Sequence, residues 1–341
     1  MRILFLSSLI PKTGNCTTAD RIRKHIEEAG HTCILKEATA FQHASEVEDV
    51  VRKENVDAAL AIHIYKGGRF LPDIGIPYGV IFGGTDINED IKDEHKREVM
   101  GIVLLEARFA VVFTDKMKIT VETYWPFTKN KIHVQPQGII TRPSTTLKWK
   151  TFLESSGIEQ EEDNPYVFLL VCGLRHVKDP LYLMDAFSEW HQKEKSVHLV
   201  IIGPAVDPFF TKEVAAKVEQ ETGIHLVLEK PQKDLHAVMK KCFAVVNSSI
   251  SEGMSATILE AMDLEVPVLA RNIPGNAAIV KHGETGLLYS DPQEFVKLSK
   301  RLMCCPDFKK GIVSNAREYV KKHHSAESER MAYQRLILSL Q

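Results

Sequence analysis

Apolar runs of strand length alternate with helical patterns from one end of this chain to the other, and that alternation limits its fold more than any other feature. Parallel neighbours in a sheet need a crossover between them, usually a helix, so a repeating β-α order builds parallel sheets and excludes all-β and all-α architectures. In the first half the strand candidates are residues 3–6, 32–35, 58–62, 80–82, 110–113 and 132–134. Helical stretches lie between them, such as 18–29, where Ile22 and Ile26 are four apart and share a face. A second series runs through 166–171, 197–202, 226–228, 244–246 and 266–270. These runs are continuously apolar, as expected of strands covered by helices on both faces.

Between the two series, residues 145–165 turn polar and acidic around Glu159-Gln160-Glu161-Glu162-Asp163, the composition of a linker or surface excursion. At 341 residues the chain is also too long for one ordinary core. The expectation is an α/β protein of two Rossmann-like domains meeting at a central cleft. Residues 1–150 form an N-terminal Rossmann-like domain, 151–165 a linker, and 166–310 a C-terminal Rossmann-like domain. Residues 311–341 form C-terminal helices that pack back on the N-terminal domain.

Charge and cysteine usage remove several classes of function. A formal net charge of −2 offers no basic field for nucleic acid. The cysteines, Cys16, Cys33, Cys172, Cys242, Cys304 and Cys305, show no C-x-x-C spacing, which argues against both a zinc site and a disulfide framework. Met1 to Ile10 reads as a buried first strand, because Pro11-Lys12-Thr13-Gly14-Asn15 stands where a signal peptide would need a small-residue cleavage site. No apolar run approaches the roughly 20 residues of a membrane span. A soluble, cytoplasmic protein is expected.

The segment richest in chemistry is Ser251-Glu252-Gly253-Met254-Ser255-Ala256-Thr257-Ile258-Leu259-Glu260-Ala261-Met262. It leaves an apolar strand near Asn247 and enters a helix, so Gly253, Met254 and Ser255 turn at the carboxyl edge of the sheet, where open α/β sheets bind ligands. Backbone N–H groups from Ser255 to Thr257, including Ala256, face an incoming diphosphate there, assisted by the positive end of the helix dipole. Glu260 is placed for ribose hydroxyls and Glu252 for the group beyond the phosphates. Upstream, Arg175 and Lys178 follow the first strand of the second series, where two cations can neutralise a diphosphate.

The wording Glu252-Gly253 through Leu259-Glu260-Ala261-Met262 resembles the E-x7-E signature of retaining family-4 glycosyltransferases of the GT-B fold. The order continues in Pro274-Gly275-Asn276-Ala277-Ala278-Ile279-Val280 and Gly283-Glu284-Thr285-Gly286-Leu287-Leu288. The resemblance implies transfer of a sugar, of the hexosyl class, from a nucleoside diphosphate sugar with retention at the anomeric carbon. It implies catalytic roles for Glu252, Arg175, Lys178 and His63, and donor contacts from Gly14, Arg175, Lys178, Gly253 to Thr257, and Glu260. Thr85 and Asp86, within Gly83-Gly84-Thr85-Asp86, fall on the acceptor side, where Asp86 either orients an acceptor or caps a helix. Three departures are visible: Gly-Leu-Arg replaces the usual Gly-Arg-Leu, the loop at Gly14 has one glycine where two are common, and Gln137-Gly138-Ile139 lacks the Asp of the usual Asn-Gly-Val-Asp.

Lys66-Gly67-Gly68-Arg69 is a further anion-site candidate or plain loop charge. No Asp-x-Asp occurs, so the sequence implies neither a divalent metal nor another cofactor. The donor base, UDP, GDP or ADP, and the acceptor are left open. Two other functions fit the same fold: a non-catalytic sugar-nucleotide-binding or interaction protein, and a sugar-nucleotide epimerase or phosphorylase.

Overall fold

A computed structural model of the chain describes residues 1–10, 14–158 and 165–341. It divides into two compact units, Met1–Gly138 with His324–Gln341, and Ile139–His323.

The first unit is built on a six-stranded sheet of β1 (Arg2–Ser7), β2 (Thr32–Glu37), β3 (Ala58–Ile62), β4 (Tyr78–Ile81), β5 (Phe109–Val112) and β6 (Ile132–Val134), in the order β2-β1-β3-β4-β5-β6. Every pairing in it is parallel. All residues of β3, β4 and β5 are buried, which is why these strands read as unbroken apolar runs.

The second unit repeats the plan with β7 (Tyr166–Val171), β8 (Val197–Ile202), β9 (Ile224–Val227), β10 (Ala244–Asn247), β11 (Val268–Arg271) and β12 (Leu287–Tyr289). Its order is β12-β11-β10-β7-β8-β9, again all parallel. Counted from its own first strand this is the 3-2-1-4-5-6 Rossmann order. Helices Met184–Lys193 and Pro292–Cys304 cover one face through an aromatic cluster around Phe168, whose ring centroid lies 5.7 Å from Phe187, 5.4 Å from Trp190 and 6.0 Å from Phe295.

The boundaries differ from the sequence expectation. The first unit ends at Gly138 rather than near residue 150, and helix Trp149–Ser155, read as the start of a linker, belongs to the second unit. The acidic stretch at 159–163 lies outside the described residues. Of the C-terminal helices, Pro306–His323 stays with the second unit, while Ala326–Leu338 belongs to the first and packs on helix Gly14–Glu28. A buried ion cluster fixes that return: Glu329 takes Arg21 Nε at 2.7 Å and lies 3.1 Å from His25 Nε2. Burial alone would raise the Glu329 carboxyl, but the His25 and Arg21 contacts hold it below the ordinary range. Among the described residues no helix is long and apolar enough to cross a membrane.

Candidate functional site

In the second unit the chain moves from β7 to β8 and β9 on one side, and then to β10, β11 and β12 on the other. The order therefore reverses between β7 and β10, and it is beyond the carboxyl ends of such a strand pair that open α/β sheets bind their ligands. The exit loop of β7 carries Arg175 and Lys178; that of β10 carries Glu252.

Two contacts stitch the Lys178 turn, His176–Lys178, to the second loop, and a third ties it to the end of β11. Ile250 N donates to Val177 O at 2.9 Å, Ser248 Oγ to Lys178 O at 3.0 Å, and Arg271 pairs with Asp179 at 2.9 Å. The Arg271 guanidinium also lies 3.7 Å from the Tyr182 ring centroid. So anchored, Lys178 Nζ reaches Glu252 Oε1 at 2.6 Å. The same oxygen accepts from Ser249 Oγ at 2.7 Å and Asn247 Nδ2 at 3.1 Å. Burial by itself would raise this carboxyl, yet the Lys178 ammonium, with Ser249 and Asn247 donating, more than offsets it and holds Glu252 ionised below the usual carboxylate range.

The Asn247 amide cannot turn over without loss, because its Oδ1 accepts from Ser249 N at 3.2 Å and from Asn276 Nδ2 at 2.9 Å. Asn276 is fully buried, and its Nδ2 also donates to Arg271 O at 3.0 Å, so flipping it would set oxygen against two oxygens. Tyr289, buried at the end of β12, donates to Asn247 O at 2.7 Å. Gly275 is required beside them: a Cβ there would stand 2.1 Å from Glu252 O.

Gly253 and Met254 lead to Ser255, the N-cap of helix Ala256–Asp263, whose first residues are Ala256 and Thr257. Glu260, further along that helix, does not join the Lys178 cluster. Gln232 Nε2 donates to it at 3.0 Å, and His236 Nε2 lies 3.6 Å away, with His236 Nδ1 accepting the Arg142 N–H at 3.1 Å. Arg175 is exposed and forms no ion pair with a carboxylate among the described residues.

In the first unit the strand order reverses between β1 and β3. Residues 11–13 of the loop after β1 lie outside the described residues, and Gly14 opens helix Gly14–Glu28. His63, directly after β3, is buried and adopts φ 70°, left-handed backbone that a non-glycine residue enters only when its surroundings impose it. Asn15 Nδ2 lies 3.0 Å from His63 Nε2, and Asp86 Oδ2 3.3 Å from Nδ1. Asn15 as donor leaves the His63 proton on Nδ1, facing Asp86.

Asp86 is itself fully buried and accepts the N–H groups of Gly83 (2.8 Å), Ile64 (3.1 Å) and Tyr65 (3.4 Å). It therefore caps helix Gly84–Asn88, which holds Thr85, and braces His63 rather than facing an acceptor itself. A Cβ on Gly83 would fall 2.1 Å from the His63 ring, so Gly83→Ala should displace His63 and cost about 1–3 kcal/mol. An unchanged denaturation midpoint would sink that expectation.

Sequence reasoning named Lys178, Glu252, His63 and Asp86 but missed the groups that hold them: Asn247, Ser249, Asn276, Arg271 and Tyr289 in one unit, Asn15 in the other. The available signal was polar residues sitting at strand ends, Asn247 and Arg271 above all.

Residues 152–319 match the model of the family Glycosyl transferases group 1. Anabaena HepE in complex with UDP-glucose superposes with TM-score 0.81 at 16% identity, covering 99% of this chain and 100% of that one. Sucrose-phosphate synthase from Thermosynechococcus elongatus superposes with TM-score 0.78 at 14% identity over 100% and 99% of the two chains. The two units are thus those of a GT-B glycosyltransferase. Glycosyltransferase 1 domain-containing protein 1 of Xenopus tropicalis is 59% identical over 341 residues, 100% of this chain and 99% of its own length, and the chain belongs to the glycosyltransferase group 1 family with it. Similarity to the trehalose synthase of Pyrococcus horikoshii, 27% identical, spans 57% of this chain and 42% of that enzyme.

Proposed function

We propose that this glycosyltransferase moves a hexose from a nucleoside diphosphate sugar to an acceptor hydroxyl, with retention at the anomeric carbon and without a divalent metal. The observation that carries the reading is the Lys178–Glu252 pair at the point where the strand order reverses, a cation and a carboxylate 2.6 Å apart on two different loops. Lys178, with Arg175 and the N–H groups of Ser255, Ala256 and Thr257, takes the diphosphate and stabilises the charge that grows on it as the glycosidic bond breaks. Glu260 receives ribose hydroxyls. Glu252, kept ionised, lies beside the sugar, where a carboxylate can accept hydroxyl protons and favour positive charge at the anomeric carbon. The departing diphosphate oxygen takes the acceptor proton on the same face, so no base is needed opposite. In the first unit His63, braced by Asp86, meets a substrate hydroxyl through Nε2 when the Asn15 amide gives way to it.

Among the candidate bases uracil comes first, because the similar Anabaena protein is held with UDP-glucose. Thermal denaturation with UDP, GDP and ADP, on the wild type and on Glu260→Ala, tests the donor assignment through stabilisation by selective binding. One nucleotide should raise the Tm, and Glu260→Ala should weaken its binding roughly tenfold through loss of a hydrogen bond to a charged group. No shift with any of the three, or an undiminished shift in Glu260→Ala, counts against this donor site.

A further inference from the structure

We propose that the first unit selects an acceptor bearing a phosphate monoester, held by Lys66 and Arg69; the idea rests on the transferase reading above and gives it a substrate class. The two cations sit on the loop that follows β3, at the carboxyl edge of the sheet and immediately after His63. Gly67 N and Gly68 N both donate to His63 O, at 3.1 and 3.0 Å. The intervening glycines let this loop lie flat on the sheet end. A Cβ on Gly67 would be 3.1 Å from Ile62 O, and one on Gly68 3.0 Å from a Val103 methyl. The Lys66 and Arg69 backbone is thereby pinned beside the substrate edge while both side chains remain exposed.

Arg69 is ordered on an aromatic floor, its guanidinium 4.7 Å from the Phe70 ring centroid and 5.2 Å from that of Tyr65. Tyr65 is tied down in turn by its N–H bond to Asp86 at 3.4 Å. A third cation, Lys96 Nζ, lies 5.2 Å from the same Tyr65 centroid, but Asp90 neutralises it at 2.6 Å. Asp86 is taken up by backbone N–H groups and His63. Lys66 and Arg69 have no carboxylate partner among the described residues.

Two uncompensated charges three residues apart, one of them over two aromatic rings, exceed what neutral sugar hydroxyls require and match a dianion. A guanidinium resting on aromatic rings with no carboxylate partner keeps N–H donors open for bidentate phosphate contact. The phosphate can belong to a soluble ester or to a lipid headgroup, and the same chemistry serves both.

The test is calorimetry on the full chain saturated with UDP, which blocks the diphosphate site, titrated with glycerol 3-phosphate and, separately, with glycerol. Glycerol 3-phosphate should bind and glycerol should not. Arg69→Ala and Lys66→Ala should each weaken the phosphate ester roughly tenfold, equivalent to about 1.4 kcal/mol, with UDP affinity unchanged. Arg69→Lys, which keeps charge but loses the fork, should fall between. In parallel, co-sedimentation with phosphatidylcholine vesicles with and without phosphatidic acid distinguishes the sources: Arg69-dependent binding to phosphatidic acid alone assigns the lipid form. Binding of neither phosphate probe, or binding indifferent to both substitutions, overturns the proposal. If UDP itself fails to bind, the donor reading falls instead, and the same titrations on the UDP-free protein, wild type against Arg69→Ala, still decide this one.

Discussion

Lys178→Ala should lower sugar transfer by about 10²–10³-fold, the loss typical of removing one preorganised group aimed at developing negative charge. The substitution does a second thing, because Glu252 loses the cation 2.6 Å away while its side chain is only 9% exposed. Ser249 and Asn247 still donate, but a buried carboxylate with neutral partners alone costs about 1–3 kcal/mol of stability. The two losses separate in a double variant. Glu252→Gln added to Lys178→Ala removes the stranded charge, so the denaturation midpoint recovers while the rate does not. Because the double variant also lacks the Glu252 carboxylate, its rate stays low in either case and the midpoint alone reports the stranded charge: a midpoint that fails to recover would give the destabilisation another source.

The pH dependence has a definite sign. The Glu252 carboxyl lies below its ordinary 4.5 in the folded protein, so its pairing contributes stability above that pH, and the contribution is lost as pH falls through the lower folded value. Without Lys178 burial is no longer outweighed, and the carboxyl rises. Urea titrations should therefore find Lys178→Ala most destabilised near neutral pH, with the gap to wild type closing as pH falls from the variant's raised carboxyl through the lower wild-type one. A variant with transfer within about tenfold of wild type would remove Lys178 from the leaving-group role.

How much of this was readable beforehand follows from the range over which each residue acts. The strands of both sheets announce themselves because burial on both faces forces unbroken apolar runs, and Ala58–Ile62 and Val197–Ile202 stand where the pattern put them. β12, three residues long like β6, escaped because Leu287–Tyr289 follows Gly283 and Gly286 directly and so reads as part of a turn. The unit boundary at Gly138 carries no change of composition, whereas the acidic stretch that suggested a later one is only conspicuous in charge. The return of Ala326–Leu338 to the first unit depends on Glu329 meeting Arg21 and His25, a pairing between opposite ends of the chain. At the site, Glu252 and Lys178 were legible from their neighbours in sequence. What orients them was not, since Asn247 and Asn276 acquire their meaning only once β10 and the turn after β11 lie side by side.

Asn276 is the residue whose replacement tests that orientation, and Asn276→Leu should lower kcat about 10- to 100-fold with little change in donor affinity. Among the described residues its amide donates to Asn247 Oδ1 and Arg271 O rather than to Glu252, so the effect passes through Asn247. With Asn276 Nδ2 gone, Asn247 Oδ1 keeps only the Ser249 N–H at 3.2 Å, and the amide is free to present oxygen where it now gives Nδ2 to Glu252. That exchange replaces a donor by a repulsion at a buried carboxylate, a change of roughly 1–3 kcal/mol, from which the range in rate follows. Asn276→Asp is the sharper probe, since a carboxylate there accepts where the amide donated and draws the Asn247 NH2 group toward itself. It should exceed Asn276→Leu in effect on kcat. Both variants should move the acid limb of the pH–rate profile upward, because Glu252 loses a donor that favours its ionised form. Loss of packing alone would lower the melting temperature and leave that limb in place, and an unshifted limb in both variants would reduce Asn276 to a structural residue.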